Sequence, residues 1–417
     1  LKVDKELRKL NDLVNEIDAI AKKKIEMLSC RSIEEAKIDQ MITPALERIA
    51  KGLMTRNLHE LKPILEKYKN QENEILKRFL TLQSAGLKIS ESELAEQTRC
   101  DLLIKTIEMA IQLKREYQKQ YNAHILEKNF IQGGVFLSGT PHASTRSRLT
   151  GGDILELERR GFRPIIYRND NGALLNSYDT KVLVGLFKLW LNQGKKKQIQ
   201  FEFKDLAEAM CTNPSGGEYR LIHESLRNIA ATWIEYKEYF DPKRSKFYSA
   251  TVQHRPIESL VWIARTKEEE GGKERAAIVS FHDVLHKSLL EGNYVFINLM
   301  IYNELPTSYA RLIYLNILDE LENNVTSFEL DSLIDHIILK DMTTFNRGRA
   351  IRTIEMSFRH LMDADVITEY NLRKTGRKFT HIDFVPSDWL LAGKQLRAAD
   401  TPPAMPPSER AVQLTLI

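Results

Sequence analysis

The chain has 417 residues, 42% of them hydrophobic and 28% charged, with 61 basic against 57 acidic side chains. That length allows about two to four domains with packed cores, and the near balance of charge excludes nucleic-acid binding by bulk charge alone. Cys30, Cys100 and Cys211 stand far apart with no CxxC spacing, which argues against a disulfide scaffold or a cysteine zinc site and for a reducing cytoplasm; no apolar run is long enough for a membrane span, and no basic-then-apolar leader opens the chain.

Residues 1–130 read as a helical bundle or coiled-coil interaction domain. Leu7, Leu10, Val14 and Ile17 recur at helical spacing, and Leu94 to Leu126 forms another long periodic stretch. Self-association is the role expected of such helices. "KISESELAEQTR" (88–99) has the length of a helix-turn-helix, but no wing or basic face follows it. Residues 131–158 are a Gly/Ser/Thr-rich linker, in which Arg146 and Arg148 are the only charges before Asp153 within "QGGVFLSGTPHASTRSRLTGGD" (132–153).

Residues 159–270 and 271–392 show one order of elements twice. The first runs from a helix carrying Val182, Leu186, Leu189 and Trp190 through the strand "QIQFEF" (198–203) and the short helix "KDLAEAM" (204–210) to a long helix at 218–233. Three strand-like runs follow, "WIEYKEYF", "KFYSATVQ" and "IESLVWIA", the first two joined by the basic turn "DPKRSK" (241–246). The second runs from a helix at 308–321 through a short helix at 328–338 to a long helix at 347–362, then "VITEYNL", a basic turn and "FTHIDFV". Corresponding features lie roughly 130 residues apart, a weak internal duplication. Three helices followed by a β-hairpin is the winged-helix arrangement, a helix-turn-helix variant. The expected fold is therefore mainly α with small β-hairpins (α+β): a helical region followed by two tandem winged-helix domains. Residues 393–417 form a Pro-rich tail, expected to be disordered, that ends in the apolar "QLTLI".

Both long helices bear a basic face. In the first, Ile222, Leu226, Ile229 and Trp233 pack inward, which leaves Arg220, His223 and Arg227 on another face and Tyr219 near the start. In the second, Ile351, Ile354, Phe358 and Leu361 mark the buried face, and Arg347, Arg349, Arg352, Thr353 and Arg359 fall mostly outside it. Each helix precedes a basic hairpin tip: Lys243, Arg244 and Lys246 in one half, Arg373, Lys374, Arg377 and Lys378 in the other. A helix in the major groove reads guanine edges with arginine, while a wing tip beside it holds phosphate. Solvated tips and faces are the plainer alternative for any one of these features; their joint recurrence favours duplex DNA as the ligand.

Other constellations are weaker. Asp363 and Asp365 in "LMDADVIT" have the spacing of a metal-dependent primase carboxylate pair, but they fall where a helix turns into a strand, so a helix cap is the simpler account. His282 and His286 stand four apart without the glutamate of HExxH or an evident third ligand. There is no GxxxxGK[ST] and no GxSxG. No catalytic residue, metal or cofactor is expected, with a primase-like enzyme kept as the lesser alternative.

The stretch from "SYDTKVLVGLFKLWL" (177–191) to "FTHIDFVPSDW" (379–389), with "YNELPTSYARLIYLNILDEL" (302–321) and "RGRAIRTIEMSFRHLMDADVITEY" (347–370) within it, resembles plasmid-type replication initiators of the RepA and TrfA kinds. The resemblance implies binding to repeated origin sequences, melting of adjacent DNA, recruitment of host replication proteins and no enzymatic activity. A winged-helix repressor or a partition adaptor would share the fold. Gln413, Leu414, Leu416 and Ile417 are similar to the peptide by which bacterial proteins bind the replicative sliding clamp, with Ile417 in place of the aromatic.

Overall fold

A computed structural model describes residues 2–29, 35–54, 58–119, 124–136, 155–157, 165–171, 173–237, 239–241, 246–248, 252–263, 275–337 and 346–391. The chain divides into two compact units, Leu1–Tyr121 and Asn122–Ile417.

The first unit holds α1 (Lys2–Ser29), α2 (Glu35–Leu53), α3 (Leu58–Ser84) and α4 (Glu91–Lys119). Apolar residues at helical spacing build its core: Ile17 and Ala21 from α1, Leu46 and Ile49 from α2, Leu58, Leu61 and Leu65 from α3, and Leu103, Ile107 and Ile111 from α4. α4 packs against each of the other three. Its start is fixed by a reciprocal cap, in which Glu93 N donates to Ser90 Oγ (3.3 Å) and Ser90 N donates to the Glu93 carboxylate (2.9 Å). The segment 88–99 is thus a connector and the opening of a long helix, not a helix-turn-helix. The periodic stretch expected to run to Leu126 ends at Lys119, and Leu126 lies in the strand β1 (His124–Glu127) of the second unit. All four residues of β1 are buried, and so short a run has no alternation to set it apart from a buried helix.

In the second unit β1 and α5 (Lys128–Gln132) are followed by β2 (Leu155–Leu157), β3 (Ile165–Asn169), α6 (Ser177–Asn192), β4 (Gln198–Glu202), α7 (Phe203–Ala209) and α8 (Gly216–Ala230). The strands β5 (Thr232–Tyr236), β6 (Tyr239–Asp241), β7 (Lys246–Tyr248), β8 (Val252–His254), β9 (Ile257–Ile263) and β10 (Ala276–Phe281) complete the first half. The second half contains α9 (Asp283–Leu290), β11 (Tyr294–Ile297), α10 (Leu299–Glu304), α11 (Ser308–Glu322), β12 (Ser327–Glu329), α12 (Leu330–Ile337), α13 (Arg347–Asp363), β13 (Ile367–Thr375) and β14 (Lys378–Pro386).

The internal duplication is physical. The helices α6 and α11 match, as do β4 and β12, α7 and α12, and α8 and α13. Both α6 and α11 start at a polar cap, Asn176 or Thr307. Both also end in the same turn. Gly194 N donates to Leu191 O and Lys195 N to Trp190 O in one; Asn324 N donates to Leu321 O and Val325 N to Glu320 O in the other. The sheets share one order, β4-β10-β9 and β12-β14-β13, so each half is a winged helix. The halves are stitched by the antiparallel pair β1 and β11, and they share a continuous core from Ile125 to Leu390.

This topology changes which hairpin is the first wing. The strands matching β13 and β14 are β9 and β10, which pair antiparallel from Ala276↔Ile263 onward. The hairpin bearing "DPKRSK" is an insertion between α8 and β9. Its β5 pairs with β3 and β8, and β6 pairs with β7. The boundary expected at 270 falls between β9 and β10, adjacent strands of one sheet. The acidic "TKEEEGG" (266–272) separates them in sequence.

Candidate nucleic-acid interface

The helix α13 is started by Asn346, whose side chain accepts from Arg349 N (3.0 Å). Ala350, Ile351, Ile354, Ser357, Phe358 and Leu361 are buried. Arg349 and Arg352 are exposed and have no acidic partner among the described residues. Thr353 donates its hydroxyl to Arg349 O (3.1 Å), back-bonding to its own helix. Arg359 is held by Glu355 (2.9 Å) and the Tyr370 hydroxyl (3.2 Å). Arg347 turns inward, with Nε 2.8 Å from Asp331 and a terminal nitrogen donating to Phe379 O at 2.6 Å. It ties α12, α13 and β14 together.

The strands β13 and β14, nine residues each, form a hairpin closed by Gly376 and Arg377, with Thr375 paired to Lys378. Gly376 has φ +63°, as the first central position of a type II′ turn requires. Arg377 and Lys378 project from that turn, exposed and without a partner among the described residues. Arg373 lies 3.4 Å from Asp383 across the strands, and the Lys374 ammonium sits 4.6 Å from the Phe379 ring centroid. Phe358 faces Tyr370 at 5.7 Å and Phe384 at 6.2 Å, wedging α13 against the wing. Arg349, Arg352, Arg377 and Lys378 therefore stand on two elements held in fixed relation.

The corresponding helix α8 differs in charge. Arg220 is exposed but lies 3.7 Å from Glu224. His223 is stacked on Trp262 of β9, with centroids 4.2 Å apart and planes at 23°. Tyr219 is half-buried, edge-on to Phe203 at 6.1 Å. Arg227 alone of the four is exposed without an acidic partner among the described residues. Trp233, expected to close this helix's inner face, lies beyond the helix in β5, under the Arg255 guanidinium at 4.1 Å. Lys243 and Arg244, like 413–417 with Gln413, Leu414, Leu416 and Ile417, lie outside the described residues. Lys246 pairs with Asp241 in backbone register, and its side chain is outside the described set.

The seating of α8 depends on a buried carboxylate. Asp179 accepts from Ser225 Oγ (2.6 Å), Asn228 Nδ2 (3.0 Å) and Asn176 N (2.8 Å), joining the start of α6 to the face of α8. Burial pushes its pKa from 3.8 to about 6, against the pull of those three donors. A carboxylate raised on folding contributes stability that is fully present below pH 3.8 and is lost as pH rises through 6. That loss is on the order of 3 kcal/mol. Asparagine can keep the site, because Ser225 can reverse its hydroxyl and accept from the new amide. Asp179→Asn is therefore expected to gain stability over wild type at pH 7 but not at pH 4, measured by chemical unfolding followed through tryptophan fluorescence. Trp190, Trp233, Trp262 and Trp389 are the only tryptophans and all lie in this unit. Identical profiles for both proteins would refute the assignment.

Asp363 and Asp365 do not sit side by side on a strand. Asp365 takes the left-handed position (φ +57°) of the turn that ends α13, in which Val366 N donates to Leu361 O and Asp365 N to Met362 O. The Asp365 carbonyl accepts from Trp389 Nε1 at 2.6 Å. His282 caps α9 by accepting from Val284 N, and His286 meets Lys195 O at 3.0 Å. No group of three or more metal-ligating side chains occurs among the described residues. No described helix is long and apolar enough to cross a membrane.

No family model and no curated protein matches the chain. Solved structures similar to it include domains 2 and 3 of RctB, at 12% identity and TM-score 0.43, covering 64% of this chain and 99% of that one. A selenomethionine form of the same two domains is similar at 11% identity and TM-score 0.40, over 56% of this chain and 90% of that one. The Pi initiator protein in complex with iteron DNA is similar at 15% identity and TM-score 0.36, over 51% of this chain and 94% of that one.

Proposed function

We propose that this chain binds duplex DNA through its second winged helix and acts as a replication initiator at repeated origin sites of a plasmid or other mobile element. The observation that carries the DNA reading is a set of exposed cations on two elements packed together, without an acidic partner among the described residues: Arg349 and Arg352 on α13, Arg377 and Lys378 on the wing turn. The helix arginines suit guanine edges, and the wing cations suit phosphate. The first half, with Arg220 paired and His223 stacked, is assigned the weaker contact, through Arg227. Origin binding and recruitment of host proteins follow from the resemblance of the sequence to plasmid initiators. Under this proposal 413–417 is the segment offered to the sliding clamp, and the helices of the first unit supply self-association.

Removing two phosphate contacts lowers the slope of log affinity against log salt by about two. Arg377→Ala combined with Lys378→Ala is expected to do so in gel-shift titrations while sparing sequence preference. An unchanged slope would show that the wing tip does not meet the backbone. Initiation itself is tested by permanganate footprinting of bound origin DNA: unstacked thymines beside the binding repeats support it, and protection without unstacking favours a repressor.

A further inference from the structure

The exposed stripe of α13 contains one side chain that no phosphate or guanine contact explains. Met356 is 57% exposed. It lies on the face of Arg349 and Arg352, one turn beyond the second of them. The next member of the stripe, Arg359, is drawn aside by Glu355 and Tyr370. From its N-terminal end, then, the stripe presents two exposed guanidinium groups without an acidic partner among the described residues, followed by a flexible thioether.

Comparison with α8 shows what stands at this position in the other half. The buried residues Ile222, Ser225, Leu226 and Ile229 repeat in order and spacing as Ile354, Ser357, Phe358 and Leu361. In that alignment Arg220 corresponds to Arg352, and Glu224 corresponds to Met356. In α8 the glutamate holds the arginine at 3.7 Å. In α13 the same place carries no charge, so Arg352 has no acidic partner among the described residues and an apolar surface lies beside it.

The major-groove edges of the bases offer donors, acceptors and one apolar group, the C5-methyl of thymine. An unbranched, polarizable side chain adapts readily to such a target. We propose that Met356 is a specificity-determining residue that packs on a thymine methyl next to the base edge taken by Arg352. This rests on the DNA-reading proposal above and adds to it a base and an atom.

The test uses the full chain and the duplex it selects from a random library, with each thymine of the selected motif replaced in turn by deoxyuridine. That change removes the methyl and leaves base pairing intact. One replacement is expected to weaken wild-type binding about fourfold, the effect of one buried methyl group. Met356→Ala should bind the parent duplex more weakly and be indifferent to that replacement, whereas Met356→Leu should remain sensitive. The exposed position leaves folding unaffected, checked by circular dichroism. If no thymine is sensitive, or if Met356→Ala responds as wild type does, the assignment is overturned while a selected motif and its dependence on Arg352 still stand. Failure to select any motif overturns both.

Discussion

Arg352→Ala is expected to reduce discrimination between the selected duplex and random duplex by about 1–3 kcal/mol, the worth of one arginine contact to a guanine edge. The loss should concentrate at one base position, since a base contact carries sequence information and a phosphate contact does not. Arg220→Ala supplies the comparison. Arg220 shares its solvated face with Glu224 at 3.7 Å, and exposed pairs of this kind contribute little. Its removal should leave discrimination nearly intact. Competition titrations with specific and random duplex measure both variants. Equal losses of specific and random binding for Arg352→Ala would remove it from base reading, and a larger loss for Arg220→Ala would exchange the roles assigned to the two helices.

Phe358→Ala should have the largest effect on the fold of the second unit. The ring is fully buried and lies between α13 and the wing, near Tyr370 and Phe384. Large-to-small changes at such sites cost about 3–5 kcal/mol, combining lost transfer energy with the cavity left behind. Tryptophan-detected unfolding of the second unit should show this loss. Specific binding should fall with it, because the same ring fixes the helix arginines relative to Arg377 and Lys378. A destabilisation below about 1 kcal/mol would mean that the helix and wing are held by other contacts. Arg347, which donates to Asp331 and to Phe379 O, is the next tie between the same elements.

The second winged helix is legible in the amino-acid order because its helices and hairpin state themselves locally; the exception is β12 (Ser327–Glu329), a three-residue strand recruited by pairing with β14 where a helix from 328 is expected. The inner face of α13 is written in Ile351, Ile354, Phe358 and Leu361, and Gly376 marks the turn between two alternating strands. What is not legible there is which cations are already engaged. Arg347, Arg373 and Arg359 look like Arg349 and Arg352 until Asp331, Asp383 and Glu355 are brought beside them, two of these pairs by tertiary contact.

The first half is less legible for the opposite reason. Its local signals are strong, and "DPKRSK" joins two convincing strands, but strand order in a sheet is a non-local property. Only the pairing of β10 with both β4 and β9 shows that the wing lies beyond that hairpin. His223 is a similar case. Its place on a basic face is set by helical spacing, whereas its stacking on Trp262 is set by a strand many residues later. The strand β1 is not legible because four buried residues in a row carry no period.

The central claim is that α13 and its wing read duplex DNA. It is tested most directly by selecting bound duplex from a random library with the full chain and, in parallel, with an Arg349→Ala/Arg352→Ala variant. The expected result is a defined, directional motif for the wild-type chain whose information content collapses over adjacent base pairs in the variant. Recovery of the same motif by both proteins, or of no motif by the wild type, would contradict it.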